Sequence, residues 1–289
     1  MAASGDIKYQ FEVDLADPNN AHSVLHRLVC EAGAPSMSIL EVGCSSGYVG
    51  ATFAGKGHRV TGIEPDPAAA QAARVVLQEV HCQGIADFLR DAPGGRYDAI
   101  LFGDVLEHLP DPAETLRRCT PLLAPGGLVA ISLPCGTHGS IRAMLLDGRW
   151  DYADYGLLDR THLRFFSRAG VQELFAAAGM QISRMVALVQ PIDTVGREYD
   201  MALQPRWISA VEALADDDDV MTFQFVAVAR PVAGASTAEL LSRNQAVTVE
   251  PAIPPPRIPG ERSALQRMRV WLLRRLVAGI ARRRFRDAG

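Results

Sequence analysis

Residues 39–50 read ILEVGCSSGYVG, an apolar run that breaks into glycines and small polar residues. The pattern predicts a buried strand over 39–42, a tight turn over 43–47 and a helix that opens over 48–54. A strand, a glycine loop and a helix in this order bring backbone N–H groups to the edge of a sheet, which is typical of sites for nucleotide-like ligands. The loop is therefore the first candidate ligand site.

Predicted strands and helices alternate from residue 38 onward, which indicates βαβ units and a parallel sheet with helices on both faces. Two later strands are expected to pair antiparallel at the sheet edge. The strands are predicted near 38–43, 58–63, 80–85, 97–103, 127–133, 181–190 and 221–230, and the helices near 47–55, 67–79, 111–123 and 167–180. The fold class is therefore α/β, with a mostly parallel sheet.

The 289-residue chain is expected to form one main domain with extensions. An N-terminal arm and a helix capped by Asn19 or Asn20 occupy 1–37, the main domain 38–230 with a lid at 134–166, an extended Pro-rich linker 231–260, and a basic amphipathic helix 261–289. This last helix carries nine Arg against two acids, about +7, which leaves about −11 for the rest. It fits an anionic membrane surface or a protein partner, and packing on the acidic body or in a homodimer is an equal alternative.

Composition narrows the class of protein. The chain is 48% hydrophobic and 21% charged, without an apolar run near the roughly 20 residues of a membrane span and without signal-peptide regions at the N-terminus. Five cysteines without a CxxC pair favour a reduced, cytoplasmic protein, peripheral to the inner face of the membrane if the basic helix binds there. The acidic body disfavours nucleic acid as a partner.

Two carboxylates indicate the ligand of the glycine loop. The order Glu41-x-Gly43-x-x-x-Gly47 is not the G-x-G-x-x-G of a dinucleotide site, and Glu41 would repel a pyrophosphate. Glu41 could instead attract an ammonium group or position the backbone. Glu64 ends the second strand, where a carboxylate can accept both hydroxyls of a ribose. Adenosine joined to a cationic amino acid is S-adenosylmethionine.

Residues 38–135 resemble the class I S-adenosylmethionine-dependent methyltransferases, because ILEVGCSSG, VTGIEPDP, YDAILFGDVLEHLPDP and LLAPGGLVAISLP occur in the family's order. The resemblance implies a Rossmann-like sheet of seven strands, with the cofactor across the C-terminal strand ends. Many relatives hold the adenine with an Asp directly after the position of Gly84, where this chain has Ile85. The cofactor contacts implied are Glu41, Gly43 and Gly47 for the methionine end, Glu64 for the ribose, and either the backbone of Ile85 and Ala86 or the side chain of Asp87 for the adenine. Cys44 and Asp104 are further cofactor-binding candidates.

The stretch GDVLEHLPDP at 103–112 follows the fourth predicted strand, where an acceptor would approach the cofactor. Asp104, Glu107 and His108 would share one face of a helical turn, and His162 of the lid could add a fourth ligand for Mg²⁺ or Mn²⁺. The stretch resembles ubiquinone-pathway O-methyltransferases and small-RNA 2′-O-methyltransferases, in which matching residues bind a divalent metal. Alternatively Glu107 and His108 brace the turn, and His108, His162 or His138 is a general base.

The lid indicates the acceptor. Its aromatic residues Trp150, Tyr152 and Tyr155 lie among polar side chains, which suits sugar stacking, and the lid sequence resembles methyltransferases of polysaccharide and glycolipid pathways. A sugar or oligosaccharide hydroxyl is therefore the first prediction for this small-molecule acceptor. A phenolic, quinone-like or natural-product acceptor with a His base is the alternative, and a tethered adaptor that keeps the fold without activity is the further alternative.

Overall fold

The computed structural model describes residues 7–8, 12–90, 96–214 and 219–254, all within one compact unit, Met1–Pro255. Within these residues the helices are α1 Ala21–Ala32, α2 Tyr48–Ala54, α3 Pro67–Ala73, α4 Ile85–Phe88, α5 Pro112–Cys119, α6 Gly139–Leu146, α7 Arg168–Ala177, α8 Ile192–Glu198, α9 Pro205–Leu214 and α10 Thr237–Gln245. The strands are β1 Ser38–Val42, β2 Arg59–Ile63, β3 Glu79–His81, β4 Tyr97–Gly103, β5 Leu123–Pro134, β6 Met180–Val189, β7 Thr222–Pro231 and β8 Val249–Pro251. The predicted basic helix at 261–289 lies outside the described residues.

The strands form a single sheet in the order β3-β2-β1-β4-β5-β7-β6-β8. Strands β1 to β5 run parallel, β7 is antiparallel to both β5 and β6, and β8 is parallel to β6. The α/β class and the Rossmann-like sheet are confirmed. The expected count of seven strands is wrong, because β8 adds an eighth strand beside β6, which is therefore not at the edge.

The sheet is covered by apolar side chains on both faces, as alternation of helices and strands requires. Along β1 the direction alternates: Leu40 packs with the cluster that contains Phe175 and Leu116, and Ile39 packs on the opposite side with Phe53 and Leu25. The helix α1 belongs to this second layer. Its N-cap is Asn20, whose side chain accepts from the backbone N–H groups of the first turn, as one of the two predicted alternatives stated.

The predicted linker at 231–260 is folded over most of its length. Helix α10 begins after Ser236, whose hydroxyl accepts from the Glu239 backbone N–H, and Leu240 is completely buried. Asn244 is also buried, and its side-chain oxygen accepts from the Ile182 backbone N–H at 2.8 Å, which fixes α10 to β6. The prediction of a linker is wrong here. It followed the prolines of residues 251–260, whereas the apolar residues that precede them, such as Leu240, are buried and hold a helix.

The quoted loop makes the predicted turn. Gly43 and Gly47 both have positive φ values, +72° and +80°. The backbone N–H groups of Gly43 and Cys44 donate to the Ile63 carbonyl, which ties the loop to the end of β2. A Cβ atom at Gly43 would lie 2.6 Å from Cγ2 of Val105, so the loop and the segment after β4 approach so closely that only glycine fits.

Candidate active site

A cavity of about 1270 Å³ lies at the C-terminal ends of β1, β2 and β4. Glu64 and Ile85 line it at the β2 side, Asp104 and Glu107 line it after β4, and Tyr155 lines it from the predicted lid. This volume exceeds that of a pocket for one drug-sized ligand, so a cofactor and an acceptor could share it. The position is the one expected for ligands of open α/β sheets.

Glu64 is held in this cavity by two backbone donors. One carboxylate oxygen accepts from the Ser45 N–H at 2.8 Å and the other from the Asp66 N–H at 2.9 Å. The carboxylate is thereby fixed between the glycine loop and the start of α3, and each oxygen keeps further lone-pair capacity for a diol. Glu64 therefore lies where a ribose contact was predicted.

Three of the four cofactor contacts predicted over residues 41–47 do not line the cavity. Glu41 is buried under α2, so close to Gly50 that a Cβ atom added there would lie 2.4 Å from Glu41 Oε2. This Oε2 atom has no hydrogen-bond partner among the described residues. Burial raises the pKa of Glu41 to about 8. The side chain of Cys44 packs beneath Gly62, and Gly47 faces α3. This placement favours the alternative in which Glu41 positions the backbone, and it argues against direct ligand contact by these three residues.

The adenine alternatives also separate. Ile85 and Ala86 line the cavity at the start of α4. Asp87 is not part of the lining, and its carboxylate forms an ion pair with Arg90 on the exposed side of the helix. Of the two predicted adenine contacts, Ile85 and Ala86 are therefore the residues that line the cavity. The strand predicted to reach residue 85 ends at His81, and helix α4 begins at Ile85.

Asp104 does not join the predicted metal ligands. Its φ is +54° and a 3₁₀ turn follows it, not the helical turn predicted from the spacing, and its carboxylate is not part of the group formed by Glu107, His108 and His162. One oxygen accepts from Ser132 Oγ and Gln224 Nε2, each at 2.9 Å, and the other faces His22. Burial opposes ionisation, but the His22 ring and the Ser132 hydroxyl outweigh it and lower the pKa of Asp104, which is therefore an anion.

The remaining three predicted metal ligands meet at one wall of the cavity. One side-chain ligand atom from each of Glu107, His108 and His162 lies within 4.8 Å of the others. The two imidazole centroids are 4.8 Å apart, and His162 Nε2 is 4.0 Å from Glu107 Oε1. Both carboxylate oxygens of Glu107 are buried without a hydrogen-bond partner among the described residues, and burial raises the pKa of this carboxyl well above its usual range. A buried carboxyl group without a hydrogen-bond partner among the described residues, beside two imidazoles, fits a site in which a cation would stabilise the ionised form.

The lid is attached to this cluster by hydrogen bonds. The backbone N–H groups of Leu163 and Arg164 donate to the Glu107 carbonyl at 2.8 and 3.0 Å. The Thr161 hydroxyl lies 3.1 Å from His108 Nδ1 and donates to Asp159 at 2.7 Å. Asp159 in turn pairs with Lys8 at 3.2 Å. The lid thus fixes the orientation of the His108 ring.

His138 lies away from the cavity. Its ring is fully buried at the start of α6, where Nδ1 accepts from the Ser140 N–H and Nε2 lies 3.0 Å from the Gln190 carbonyl. Burial lowers its pKa to about 4. Both ring nitrogens are engaged, which argues against the predicted general-base role and makes His138 a helix cap.

Some cavity residues were missed by the sequence analysis. His22 of α1 lines the cavity, and Tyr199 and Phe223 reach it from distant segments. No local motif marks them, because packing of remote elements brings them there. Conversely, Trp150 is not part of the lining; it stands 37% exposed with its ring edge-on to Phe165.

Comparison of the sequence with known proteins identifies the family of the chain. Residues 16–184 match the family described as a methyltransferase domain. A ubiquinone biosynthesis O-methyltransferase of Alkalilimnicola ehrlichii is 37% identical over 108 residues, which are 36% of this chain and 44% of that protein. One of Xanthomonas campestris pv. campestris is 32% identical over 37% of this chain and 47% of its own length, so the alignments span less than half of these relatives.

Solved structures share the fold. A putative methyltransferase from Bacillus halodurans aligns with a TM-score of 0.52 and 14% identity, over 73% of this chain and 99% of that one. Magnesium protoporphyrin IX methyltransferase from Synechocystis, with bound S-adenosylhomocysteine, aligns with a TM-score of 0.52 and 15% identity, over 78% and 91%. Within the part of the chain that the structure describes, no helix has both the length and the apolar character to cross a bilayer.

Proposed function

The chain belongs to the methyltransferase domain family, and from this premise we propose that it transfers a methyl group from S-adenosylmethionine to a hydroxyl of a small phenolic or quinone-like acceptor. The observation that carries the proposal is the shared cavity. Glu64, suited to a ribose, and Glu107 with its two imidazoles line the same space. A hydroxyl acceptor held at Glu107 would therefore face the cofactor.

The chain's own part in such a reaction is placement and proton handling. S-adenosylmethionine, when bound, supplies a methyl group on a sulfonium leaving group. Glu64 holds the nucleoside end, and the Ile85–Ala86 backbone takes the adenine edge. The wall formed by Glu107, His108 and His162 orients the acceptor oxygen, and the hydroxyl proton passes to an imidazole of this wall or, where a cation would lower the pKa of the hydroxyl, to water.

We also propose that Glu107, His108 and His162 hold a divalent metal ion. A cation there would lower the pKa of the acceptor hydroxyl and fix its position. Without Asp104 the set contains one carboxylate and two imidazoles, which suits Mn²⁺ or a later first-row metal better than Mg²⁺. If turnover does not require a metal, the same two histidines are the candidates for a general base.

The acceptor follows from the relatives' names and from the lid. The relatives are named ubiquinone biosynthesis O-methyltransferases, which supports the phenolic or quinone-like alternative over the sugar. The sugar prediction rested on the lid's aromatic residues and on the resemblance of the lid sequence. Of Trp150, Tyr152 and Tyr155, only Tyr155 lines the cavity. Tyr199 and Phe223, stacked with an interplanar angle of 22°, offer that cavity a flat aromatic wall suited to a planar ring.

A transfer assay tests the proposal. Purified protein is incubated with methyl-labelled S-adenosylmethionine and either 3,4-dihydroxybenzoate or a methyl glycoside, with Mn²⁺ or with EDTA. Label should pass to the phenol, and Glu107→Gln should reduce transfer by about 100-fold or more. Glu114→Gln is the matched control, since Glu114 is half-buried on α5 and pairs with Arg117 in the described structure. Transfer to the glycoside alone would overturn the acceptor class, and transfer unchanged in Glu107→Gln would overturn the role of the cluster.

A further inference from the structure

Residues 157–162 of the lid contact both imidazoles of the cluster from behind. His162 Nδ1 lies 3.3 Å from the Leu157 carbonyl oxygen. His108 Nδ1 lies 3.2 Å from the carbonyl oxygen of Thr161 and 3.1 Å from its hydroxyl oxygen. In both rings Nδ1 therefore faces oxygen atoms of the lid, and Nε2 is the nitrogen that remains for the cluster.

These partners decide which ring nitrogen carries the proton. A carbonyl oxygen can only accept, so the Thr161 carbonyl requires a donor at His108 Nδ1. The Thr161 hydroxyl donates its own proton to Asp159 Oδ1 at 2.7 Å, so its oxygen is left as an acceptor for the same N–H. The neutral His108 ring is therefore the Nδ1–H tautomer, and the Leu157 carbonyl assigns His162 in the same way.

Asp159 holds Thr161 in this position. Its carboxylate is 2% exposed, and Oδ1 accepts from both the backbone N–H and the hydroxyl of Thr161, at 2.8 and 2.7 Å. The other oxygen, Oδ2, accepts from Lys8 Nζ at 3.2 Å. The Asp159 backbone N–H donates to the Gly156 carbonyl, and its carbonyl accepts from the His162 N–H at 2.9 Å. Asp159 thus fixes the turn that carries Thr161.

Both roles proposed for the cluster use the Nε2 lone pair of His108. A metal ligand and a general base each need a ring nitrogen without a proton, and the opposite tautomer would direct a hydrogen atom at the cluster. The acceptor at the other nitrogen sets the tautomer and the orientation of a metal-binding histidine. Both roles therefore depend on where the Thr161 oxygens stand.

We propose that Asp159 is a positioning residue of the active site, which acts through Thr161 to hold the neutral His108 ring in the Nδ1–H tautomer with its Nε2 lone pair presented to the cluster. This role rests on the proposed function, and it serves a metal-binding His108 and a general-base His108 alike. Thr161 supplies the acceptor atoms, and Asp159 supplies their placement.

The tautomer is measured directly in the metal-free protein. Long-range ¹H–¹⁵N correlation spectra of the ¹⁵N-labelled full chain, recorded at about pH 8.5 where imidazoles are neutral, distinguish the two ring nitrogens, and His108→Gln assigns the signals. We expect the His108 proton on Nδ1. The Nε2–H tautomer should become populated in Asp159→Asn and in Thr161→Val, which loses the hydroxyl and keeps the side-chain shape. A proton on Nε2 in the unmodified protein would overturn the proposal.

The affinity for Mn²⁺, measured by calorimetry, tests the consequence. Asp159→Asn and Thr161→Val should weaken Mn²⁺ binding by roughly 10- to 100-fold, whereas Thr161→Ser, which keeps the hydroxyl, should stay within about threefold. Asp154→Asn is the matched control for charge, because Asp154 lines the cavity from the same lid and pairs with Arg160 in an exposed position. It should change the affinity by less than about threefold.

The outcomes separate this role from the proposed function. Equal weakening by Thr161→Ser and Thr161→Val, or by Asp154→Asn and Asp159→Asn, would overturn the proposal in favour of a structural or long-range charge effect. An unchanged tautomer and an unchanged Mn²⁺ affinity in Asp159→Asn would also overturn it. If the unmodified protein neither binds Mn²⁺ nor transfers a methyl group, the proposed function fails, and the spectra still decide the role of Asp159. Thermal unfolding followed by circular dichroism checks that each variant is folded at the assay temperature.

Discussion

Replacement of Gly43 by alanine separates two costs that the structure predicts at the glycine loop. The first is conformational, because a φ of +72° is unfavourable for alanine by about 1–2 kcal/mol. The second is steric. The new Cβ would lie 2.6 Å from Val105 Cγ2, so Val105 would have to move by about 1 Å, which costs about 1–3 kcal/mol in a packed site.

A second glycine measures the conformational cost alone. Gly126 has a φ of +77° and nothing within 4 Å of an imagined Cβ. Gly126→Ala should therefore lower the free energy of unfolding by about 1–2 kcal/mol, and Gly43→Ala by about 2–5 kcal/mol in total. The assay is urea unfolding of the apo protein followed by circular dichroism.

Removal of the clashing side chain completes the test. In a double-mutant cycle, Val105→Ala should recover most of the excess cost of Gly43→Ala, since alanine has no Cγ2 atom. Because Val105 leads into the turn that carries Glu107, Gly43→Ala should also weaken the metal binding proposed above, and the double variant should restore it. A Gly43→Ala cost no larger than that of Gly126→Ala would refute the close approach of the two segments.

Three further predictions concern individual side chains. Glu41→Gln should become more stable relative to the unmodified apo protein as pH rises from 5 to 8, by up to a few kcal/mol in the free energy of urea unfolding. The reason is that Glu41 ionises near its ordinary pKa in the unfolded chain, whereas its pKa in the folded chain is about 8, so rising pH favours unfolding of the unmodified protein. A difference that does not change with pH would contradict this. His138→Ala should lower the free energy of unfolding by about 1–2 kcal/mol through loss of the α6 cap and leave methyl-transfer chemistry intact at a temperature where the variant stays folded; a large loss of kcat there would return His138 to the active site. Asn244→Ala should cost about 1–3 kcal/mol in thermal unfolding, since the buried Ile182 N–H would lose its partner, and a neutral change would contradict the docking of α10.

The sequence was sufficient where the signal is local. Glycines at 43 and 47 predict the turn because no other residue adopts those φ values cheaply, and Glu64 follows from its position at the end of a strand. The Glu107–His108 pair could be predicted because it directly follows the fourth predicted strand, and both residues line the cavity in the structure.

Predictions failed where distant packing or one backbone angle decides. Asp104 was expected among the metal ligands, but its positive φ and its contacts with Ser132 and Gln224 turn it toward His22. His22 was missed because only the packing of α1 against the sheet brings it to the cavity. The α10 helix was present in the sequence as a capping pattern, Ser236-x-x-Glu239, which the proline-rich end of the segment obscured.

The most direct test of the account is calorimetric titration of the unmodified protein with S-adenosylhomocysteine, followed by Mn²⁺, and then of Glu107→Gln. We expect one S-adenosylhomocysteine site in both proteins and one metal site in the unmodified protein alone, because Glu64 and the cluster line separate parts of one cavity. Absence of S-adenosylhomocysteine binding would contradict the methyltransferase assignment of the site. Metal binding that survives in Glu107→Gln would contradict the place given to the metal.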